Sequence, residues 1–318
     1  MTYRQITSEQ RYMLAALRMQ GLRSSDIARH LGCHRSTISR ELKRNCTPLD
    51  GRYRAAKAQE FANGRRSRSR RNQQFDPSEL ERVDELLHER WSPEQIAGRL
   101  ARSKAGFSIS HETIYRHVWR DKKAGGSLYT HLRCAQKKRR KGYGHYDSRG
   151  RLAGKRHISE RPACVESRGE LGHWEIDTVM GTGSKHCIMS LVERKSGLLI
   201  IGKLANRTTE ALNERAIQLI DANSGPFTTI TADNGTEFHK YADIESRTQT
   251  TFYFATPYHS WQRGTNENTN GLIRQYLPRG ASMTGLTQRQ CNEIAHCLNT
   301  RPRKRLAYQT PLECFYES

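Results

Sequence analysis

The sequence has few acidic side chains for its length and no apolar run long enough to cross a membrane. Its 318 residues carry 32 Asp and Glu against 54 Lys and Arg, which gives a net charge of +22. A bilayer-spanning helix needs roughly 18–20 consecutive apolar residues, and no segment approaches that length. These features argue against an integral membrane protein, and the length allows two or three domains.

The cysteine patterns of metal and disulfide frameworks are also missing. The eight cysteines are scattered, and no two of them form a C-x-x-C pair. A structural zinc site needs clustered ligands, so this kind of site is not indicated. The polar start of the sequence has no signal-peptide core, and we therefore expect a protein of the reducing cytoplasm.

Basic charge is concentrated in the front half of the chain. Residues 1–150 carry 33 basic and 15 acidic side chains, whereas residues 151–318 carry 21 and 17. Because neutralising phosphates releases counterions, this distribution is typical of a protein that binds nucleic acid. Charge that only aids solubility, or that contacts acidic lipid, is the alternative.

A helix-turn-helix is predicted over residues 7–44. Thr7 and Gln10 form a capping box for the first of three helices, and Ser24 or Ser25 caps the second. After a glycine turn, the third helix would enter the major groove of double-stranded DNA. The side chains predicted to contact base edges or phosphates are Arg35, Ser36, Ser39, Arg40 and Lys43. An ordinary helical hairpin with a solvated basic face is the alternative.

A second helix-turn-helix is predicted further along the chain. Ser92 and Gln95 form a capping box around Pro93, which suits the first position of a helix. On the next helix, Arg116 is placed to contact DNA. The connection at residues 101–109 is longer than a tight turn, so a helical subdomain that only packs is the alternative.

Two runs of basic residues, at 65–71 and 137–141, have the composition of flexible arms or solvated linkers. They suggest a division of the chain into five parts. These are a helix-turn-helix domain (1–60), a basic linker (61–76), a second helix-turn-helix-like domain (77–135), another basic linker (136–165) and an α/β domain (166–318).

From residue 172 the pattern changes from helical to mixed. Strands are predicted at 173–179, 187–193 and 198–204 as an antiparallel meander. A helix (208–220), a strand (228–232), a helix (240–246), a strand (251–255) and a last helix follow. The order βββαβαβα predicts a mixed five-stranded sheet of the ribonuclease H-like type, with the first strand central and the fourth beside it.

Three acidic residues fall at key places in these elements. Asp177 lies in the first strand, Asp233 follows the fourth, and Glu267 is near the start of the last helix. Taken alone, each acid has an ordinary explanation. Asp177 could lie on the solvent-exposed face of a strand, Asp233 could cap a turn, and the charge of Glu267 could favour a helix N-terminus. Together, their oxygen atoms suit Mg²⁺ or Mn²⁺ rather than zinc. Enzymes that break or join phosphodiester bonds commonly use two such ions.

The sequences around these acids resemble those of a known family. Asp177, residues 233–238 (DNGTEF) and residues 261–268 (WQRGTNEN) are similar to the insertion sequence 30 family of bacterial DDE transposases. Residues 37–42 and 299–306 also resemble the family, so the likeness extends over nearly the whole chain.

The resemblance implies an all-α helix-turn-helix region followed by a catalytic core of the retroviral-integrase type. It implies that Asp177, Asp233 and Glu267 hold two Mg²⁺ or Mn²⁺ ions and catalyse DNA strand nicking and transfer at the inverted repeats of an insertion sequence. It also implies that Arg274 contacts DNA, as a basic residue does at this place in related cores. Synapsis of two DNA ends suggests at least a homodimer.

Several further residues receive secondary predictions. His259, Arg263 and Asn266 are placed to touch DNA or to position the metal site, with turn and cap chemistry as the alternative. The basic cluster at residues 301–305 is expected to contact DNA, with a solvated helix end as the alternative. Three tryptophans are expected to be packed: Trp119, Trp174 and Trp261.

Two other functions remain open at this point. A DNA-binding regulator with a silent core is one, although such a core has no need for three clustered carboxylates. A simple nuclease is the other, and it would give nicked products without joining them.

Overall fold

The computed structural model describes residues 5–68, 75–103, 105–133, 154–183, 185–257 and 259–317. The chain forms two compact units, and it passes from the first to the second between residues 80 and 81. Within the described ranges, no helix is long and apolar enough to cross a membrane.

The first unit contains the predicted helix-turn-helix. Its helices are α1 (Ser8–Met19), α2 (Ser24–His30), α3 (Arg35–Asn45) and α4 (Ala55–Arg68). The predicted capping box is present, because Thr7 Oγ1 accepts from the Gln10 N–H and Gln10 Oε1 accepts from the Thr7 N–H. Leu14, Ile27 and Ile38 are fully or almost fully buried at the centre of the unit.

The start of α2 differs from the prediction. The cap position is Arg23, and no side chain caps the helix. Ser24 and Ser25 already lie inside the helix, so the prediction that one of them caps it is wrong. The turn after α2 is as expected, since Gly32 has a φ of 60°, which favours glycine.

A buried ion pair joins α1 to α3. Arg11 Nε lies 2.7 Å from Glu41 Oε1, and both side chains are at most 10% exposed. The Tyr53 hydroxyl donates to the same carboxylate, and Arg11 also donates to Gln59 on α4. Because all these groups are partnered, the cost of burying the two charges is offset. The pair therefore joins α1 to α3, and the contact with Gln59 extends this network to α4.

The predicted linker at 61–76 is partly helical. Helix α4 continues to Arg68, so the first eight residues of that segment belong to a helix rather than to a flexible arm. Arg65 donates to the carbonyl of Arg44 at the end of α3, which holds this part of the basic run against the first unit. The basic run at 137–141 lies outside the described residues.

The helices of the second predicted helix-turn-helix are α5 (Pro77–His88), α6 (Pro93–Arg102) and α7 (His111–Lys123). The capping box of Ser92 and Gln95 is present, with Pro93 at the start of α6. Nε2 of His117 on α7 lies 2.8 Å from Oδ1 of Asp84 on α5. One face of α7 is open, because Trp119 is 51% exposed and not packed as predicted.

Helix α6 packs on the C-terminal end of the chain. Arg99 forms an ion pair with Glu313 at 2.5 Å, and Gln95 donates to the carbonyl of Pro302 at 2.8 Å. An added Cβ at Gly98 would lie 2.3 Å from the ring of Tyr308, so α6 approaches this segment as only glycine allows. Helix α6 therefore packs on the C-terminal segment, whereas α7 keeps an exposed face, and the DNA contact of this unit stays a prediction.

The mixed sheet has the predicted order. Its strands are β1 (His173–Met180), β2 (Cys187–Glu193), β3 (Leu199–Leu204), β4 (Thr229–Ala232) and β5 (Thr251–Phe254). They lie in the order β3-β2-β1-β4-β5, so β1 is central. β1 is antiparallel to β2 and parallel to β4, which confirms the meander and the place of the fourth strand.

Helices cover both faces of the sheet. They are α8 (Ala163–Ser167), α9 (Thr209–Asp221), α10 (Tyr241–Thr248), α11 (Gly264–Ile273), α12 (Gln288–Asn299) and α13 (Pro311–Tyr316). Trp174 and Ile176 of β1 pack in the core under α9, α10 and α13, which confirms Trp174 as a core residue. Side chains alternate along a strand, so Asp177 and Val179 face the side of α11 and α12.

Candidate active site

Asp177 lies in the central strand and is held by two hydrogen bonds. Its Oδ1 accepts from the N–H of Thr178 at 2.9 Å, and its Oδ2 accepts from Nδ2 of Asn270 on α11 at 2.8 Å. The side chain is 23% exposed. The carboxylate is therefore fixed in orientation while one side of it remains open to solvent.

Asp233 follows β4 at the same edge of the sheet. Parallel strands end at a common edge, so the residue after β4 lies beside the carboxyl end of β1. The N–H of Gly235 donates to Asp233 Oδ1 at 2.8 Å, and the Asn234 side chain donates to the carbonyl of Ala255 at 2.7 Å. The hydrogen bonds that form the turn after β4 therefore also fix the position of the Asp233 carboxylate.

The guanidinium of Arg263 joins the two aspartates. Nη2 of Arg263 lies 3.2 Å from Asp233 Oδ2, and Nη1 lies 3.8 Å from Asp177 Oδ1. Nη1 also donates to the carbonyl of Ile176 at 3.0 Å. Arg263 was predicted to touch DNA or to position the metal site, and in this structure it contacts both acids directly.

Burial raises the pKa of Asp177 above its ordinary value. The neighbouring Asp233 and Glu237 carboxylates raise this pKa further, whereas Arg263 opposes the rise. A carboxylate with this pKa shift gains from a bound cation, because the cation favours its charged form.

Glu267 is on α11, close to these residues in the fold but not joined to them. The buried Asn266 on one side of it accepts from Ser190, and Asn270 one turn later binds Asp177. The Glu267 side chain is exposed, and among the described residues no hydrogen bond or ion pair links it to either aspartate. Asp177 and Asp233 are therefore joined through Arg263. Glu267, the third predicted acid, does not take part in this set of contacts among the described residues.

Glu237 is a residue that the sequence reasoning left without a role. It is 2% exposed, and its Oε1 accepts from Arg207 at 2.7 Å and from Thr178 Oγ1 at 2.9 Å. A Cβ added at Gly235 would lie within 3 Å of both Glu237 and Asp233. Glu237 belongs to the DNGTEF segment that resembles the family, and this could have drawn attention to it. The sequence does not show that its side chain is buried.

The residues predicted to contact DNA on α3 share an open face. Arg35, Ser39, Arg40 and Lys43 are exposed, and Ser36 is partly exposed. The ring of His34 caps the helix by accepting from the Ser36 N–H. This face is open to solvent, as a DNA-reading helix requires.

Other predicted residues have mixed outcomes. Arg116 is exposed on α7, whereas Arg274 ends α11 and donates to the carbonyl of Met180 at 3.0 Å. Arg301 is 2% exposed and donates to Gln275 and Tyr276, so this member of the 301–305 cluster is held inside the fold, and the DNA contact of the cluster stays a prediction. Trp261 is 67% exposed rather than packed against the sheet.

The structure also groups three possible ligands that the scattered cysteines did not suggest. Atoms of Cys164, Glu170 and His173 lie within 4.8 Å of one another near the start of β1. Glu170 is exposed, and a structural zinc site needs four ligands. The group is therefore incomplete for that purpose.

Family models match the front of the chain. A helix-turn-helix domain matches residues 2–45, and a homeodomain-like domain matches residues 51–118. Among solved structures, the catalytic core domain of BIV integrase covers 46% of this chain and 94% of its own, with 20% identity and a TM-score of 0.36.

Curated relatives match almost the full length. The transposase for insertion sequence element IS4351 of Bacteroides fragilis is 40% identical over 98% of this chain and 95% of its own. The transposase for IS1086 of Cupriavidus metallidurans is 34% identical over 98% and 94%. Transposase InsI for IS30A of Escherichia coli is 38% identical over 90% and 77%. The chain therefore belongs to the family of insertion sequence transposases that includes the IS30 type.

Proposed function

We propose that this transposase nicks and joins DNA strands at the terminal inverted repeats of its insertion sequence, with Asp177, Asp233 and Glu267 as its catalytic acids. The acids would hold two divalent ions, Mg²⁺ or Mn²⁺. The observation that carries the proposal is the pair of aspartates at one edge of the sheet, both in contact with the Arg263 cation.

The donor atoms fit such ions. Carboxylate oxygens are the ligands that Mg²⁺ and Mn²⁺ prefer. Burial and the nearby Asp233 charge raise the pKa of Asp177 because they disfavour its charged form, and a bound divalent ion would favour that form again. Glu267, exposed on α11, would add the third carboxylate from the solvent side.

When bound, such ions would lower the pKa of the attacking water or 3′-hydroxyl and offset the charge on the leaving oxygen. The chain supplies the orientation. Thr178 and Asn270 hold the two oxygens of Asp177, and the Gly235 N–H holds Asp233. Fixed carboxylates keep their geometry during the reaction, which is the usual role of such supporting hydrogen bonds.

Double-stranded DNA would be held by both parts of the chain. Residues 1–60 would read the DNA ends through Arg35, Ser36, Ser39, Arg40 and Lys43 on α3. Arg116, Arg263 and Arg274 would contact DNA from the second unit, where residues 166–318 hold the chemistry. Because two ends must be brought together before joining, we propose at least a homodimer.

A strand-transfer assay with Mg²⁺ and DNA that carries one end of the element tests the proposal. Wild-type protein should nick the end and join its 3′-hydroxyl to a second duplex. Asp233→Asn should lose both products while the protein still binds DNA. Joining by Asp233→Asn at the wild-type rate would sink the assignment, and nicking without joining by the wild type would favour a simple nuclease.

A further inference from the structure

A polar cleft of about 460 Å³ lies near the start of α11. The residues that matter to its chemistry are His157, Arg161, Glu166, Arg168, Arg194 and Trp261. All of them belong to the second unit, and the proposed function gives none of them a role.

Two connections fix the cleft next to the site of cleavage. Arg161 donates to Oγ1 of Thr231 at 3.0 Å, and Thr231 is on β4 two residues before Asp233. Trp261 precedes Arg263 by two residues, so their Cα atoms are at most ~7 Å apart. Arg263 contacts the Asp233 carboxylate. A ligand in the cleft would therefore be a close neighbour of the phosphodiester at the acids.

Trp261 offers a large aromatic face to this cleft. The side chain is 67% exposed, and its ring centroid lies 4.3 Å from that of His259. A large exposed aromatic ring is typical of a binding surface, because a ligand that covers the ring removes apolar surface from water, and this favours binding. In DNA-binding proteins, such a ring stacks on a base of any sequence, since every base has a π-face.

The charges in the cleft are not balanced. Glu166 accepts from Arg161 at 2.7 Å and from Arg194 at 3.2 Å, and Arg194 is also paired with the buried Glu175. Arg168 instead donates to the neutral hydroxyl of Thr265 at 3.1 Å. Two carboxylates therefore face three guanidinium groups. The surplus positive charge suits a phosphate, which arginine binds well.

We propose that this cleft binds one unpaired nucleotide of the DNA end, with its base stacked on Trp261 and its phosphate beside Arg168. Within a duplex both faces of a base are covered by its stacked neighbours, so the nucleotide must leave the helix before it enters the cleft. The inference rests on the proposed cleavage at Asp177 and Asp233, because it places the opened base pair next to the cut.

Binding of the full chain to mismatched DNA tests this inference. The probe is a short duplex with the inverted repeat that flanks the gene, either fully paired or with a single mismatch moved through its terminal positions. Divalent metal is omitted so that no strand is cut. At one position, the mismatch should tighten wild-type binding roughly tenfold, because opening that pair then costs less.

Trp261→Ala should remove this preference and Trp261→Phe should keep it, since phenylalanine still stacks. Trp119→Ala is the matched control, because Trp119 is also exposed but lies on α7; it should keep the preference. Equal affinity of the wild type for all the duplexes, or a preference that survives in Trp261→Ala, would overturn the inference. Loss of the preference together with normal, Asp233-dependent strand transfer would leave the proposed function intact.

Discussion

Arg263 Nη2 lies 3.2 Å from Asp233 Oδ2, and the same guanidinium lies 3.8 Å from Asp177. A cation thus stands between the two acids that we propose as metal ligands. The arginine side chain is only 12% exposed, so this contact is part of the packed structure of the site.

Arg263→Gln should tighten the binding of Mn²⁺ to the protein without DNA, by roughly tenfold. The guanidinium favours the charged aspartates but competes with a metal ion for the same oxygens. Titration of Mn²⁺ followed by electron paramagnetic resonance measures this directly. Arg274→Gln is the control, since among the described residues Arg274 contacts backbone carbonyls and no carboxylate of the site. Equal Mn²⁺ affinity in the wild type and Arg263→Gln would refute the competition.

Asn270→Ala should lower the rate of strand transfer by roughly 10- to 100-fold, because the hydrogen bond that orients Asp177 Oδ2 is lost. Binding of DNA ends should change little, which a gel-shift titration can show. Asn268→Ala on the exposed side of α11 is the control, and it should keep the wild-type rate. If both variants lose the same activity, Asn270 has no specific role in orienting Asp177.

Glu313→Gln should destabilise the second unit by about 1 kcal/mol at neutral pH. The hydrogen bond from Arg99 lowers the pKa of Glu313 in the folded protein. A lowered folded pKa gives stability above the unfolded pKa, and this stability is lost as the pH falls through the folded pKa. Urea unfolding at neutral pH and at about pH 3 should show a difference that disappears in acid.

Glu94→Gln is the control for that measurement, because its pairing with Lys304 is solvent-exposed. It should cost less than about 0.5 kcal/mol. A cost at neutral pH that persists unchanged in acid would show that Glu313 acts through packing and not through its charge.

Arg40→Ala in the full chain should weaken binding to the DNA end by about 1–3 kcal/mol and reduce discrimination against unrelated duplexes. Arg40 is exposed on the face of α3 that is predicted to enter the groove. Arg29→Ala on α2 removes the same charge outside that face and should leave discrimination unchanged. Titrations at several salt concentrations separate the two effects, since phosphate contacts set the salt dependence. Equal discrimination by wild type and Arg40→Ala would exclude α3 as the reader.

Elements with a strong local signal were predictable from the sequence. The capping boxes at Thr7 and Ser92 are present as predicted, because a serine or threonine with Gln three residues later satisfies the first N–H groups of a helix. The strands themselves followed from strand-like runs and glycine turns, and their order in the sheet followed from the element order βββαβαβα. Asp177 and Asp233 were placed correctly at the sheet edge because each is within or next to a strand.

Features that depend on tertiary contacts were not predictable in the same way. Arg301 and Glu237 have charged side chains in polar segments, so nothing local indicates that they are buried and hydrogen-bonded. Tryptophan has a large, mostly apolar side chain that is typical of a core, yet the fold leaves Trp261 and Trp119 exposed. The contact of Arg263 with both aspartates needs β1, β4 and the start of α11 to come together, which sequence spacing alone does not give.

The identity of the third acid is the most direct test of the proposed active site, because two glutamates are available. Glu267 is exposed on α11, whereas Glu237 is buried beside Asp233 and paired with Arg207. The rate of Mg²⁺-dependent strand transfer should be measured for Glu267→Gln and Glu237→Gln, with thermal unfolding to confirm that each variant is folded. We predict that Glu267→Gln loses both nicking and joining, and that folded Glu237→Gln retains measurable transfer. Wild-type strand transfer by Glu267→Gln would contradict the account.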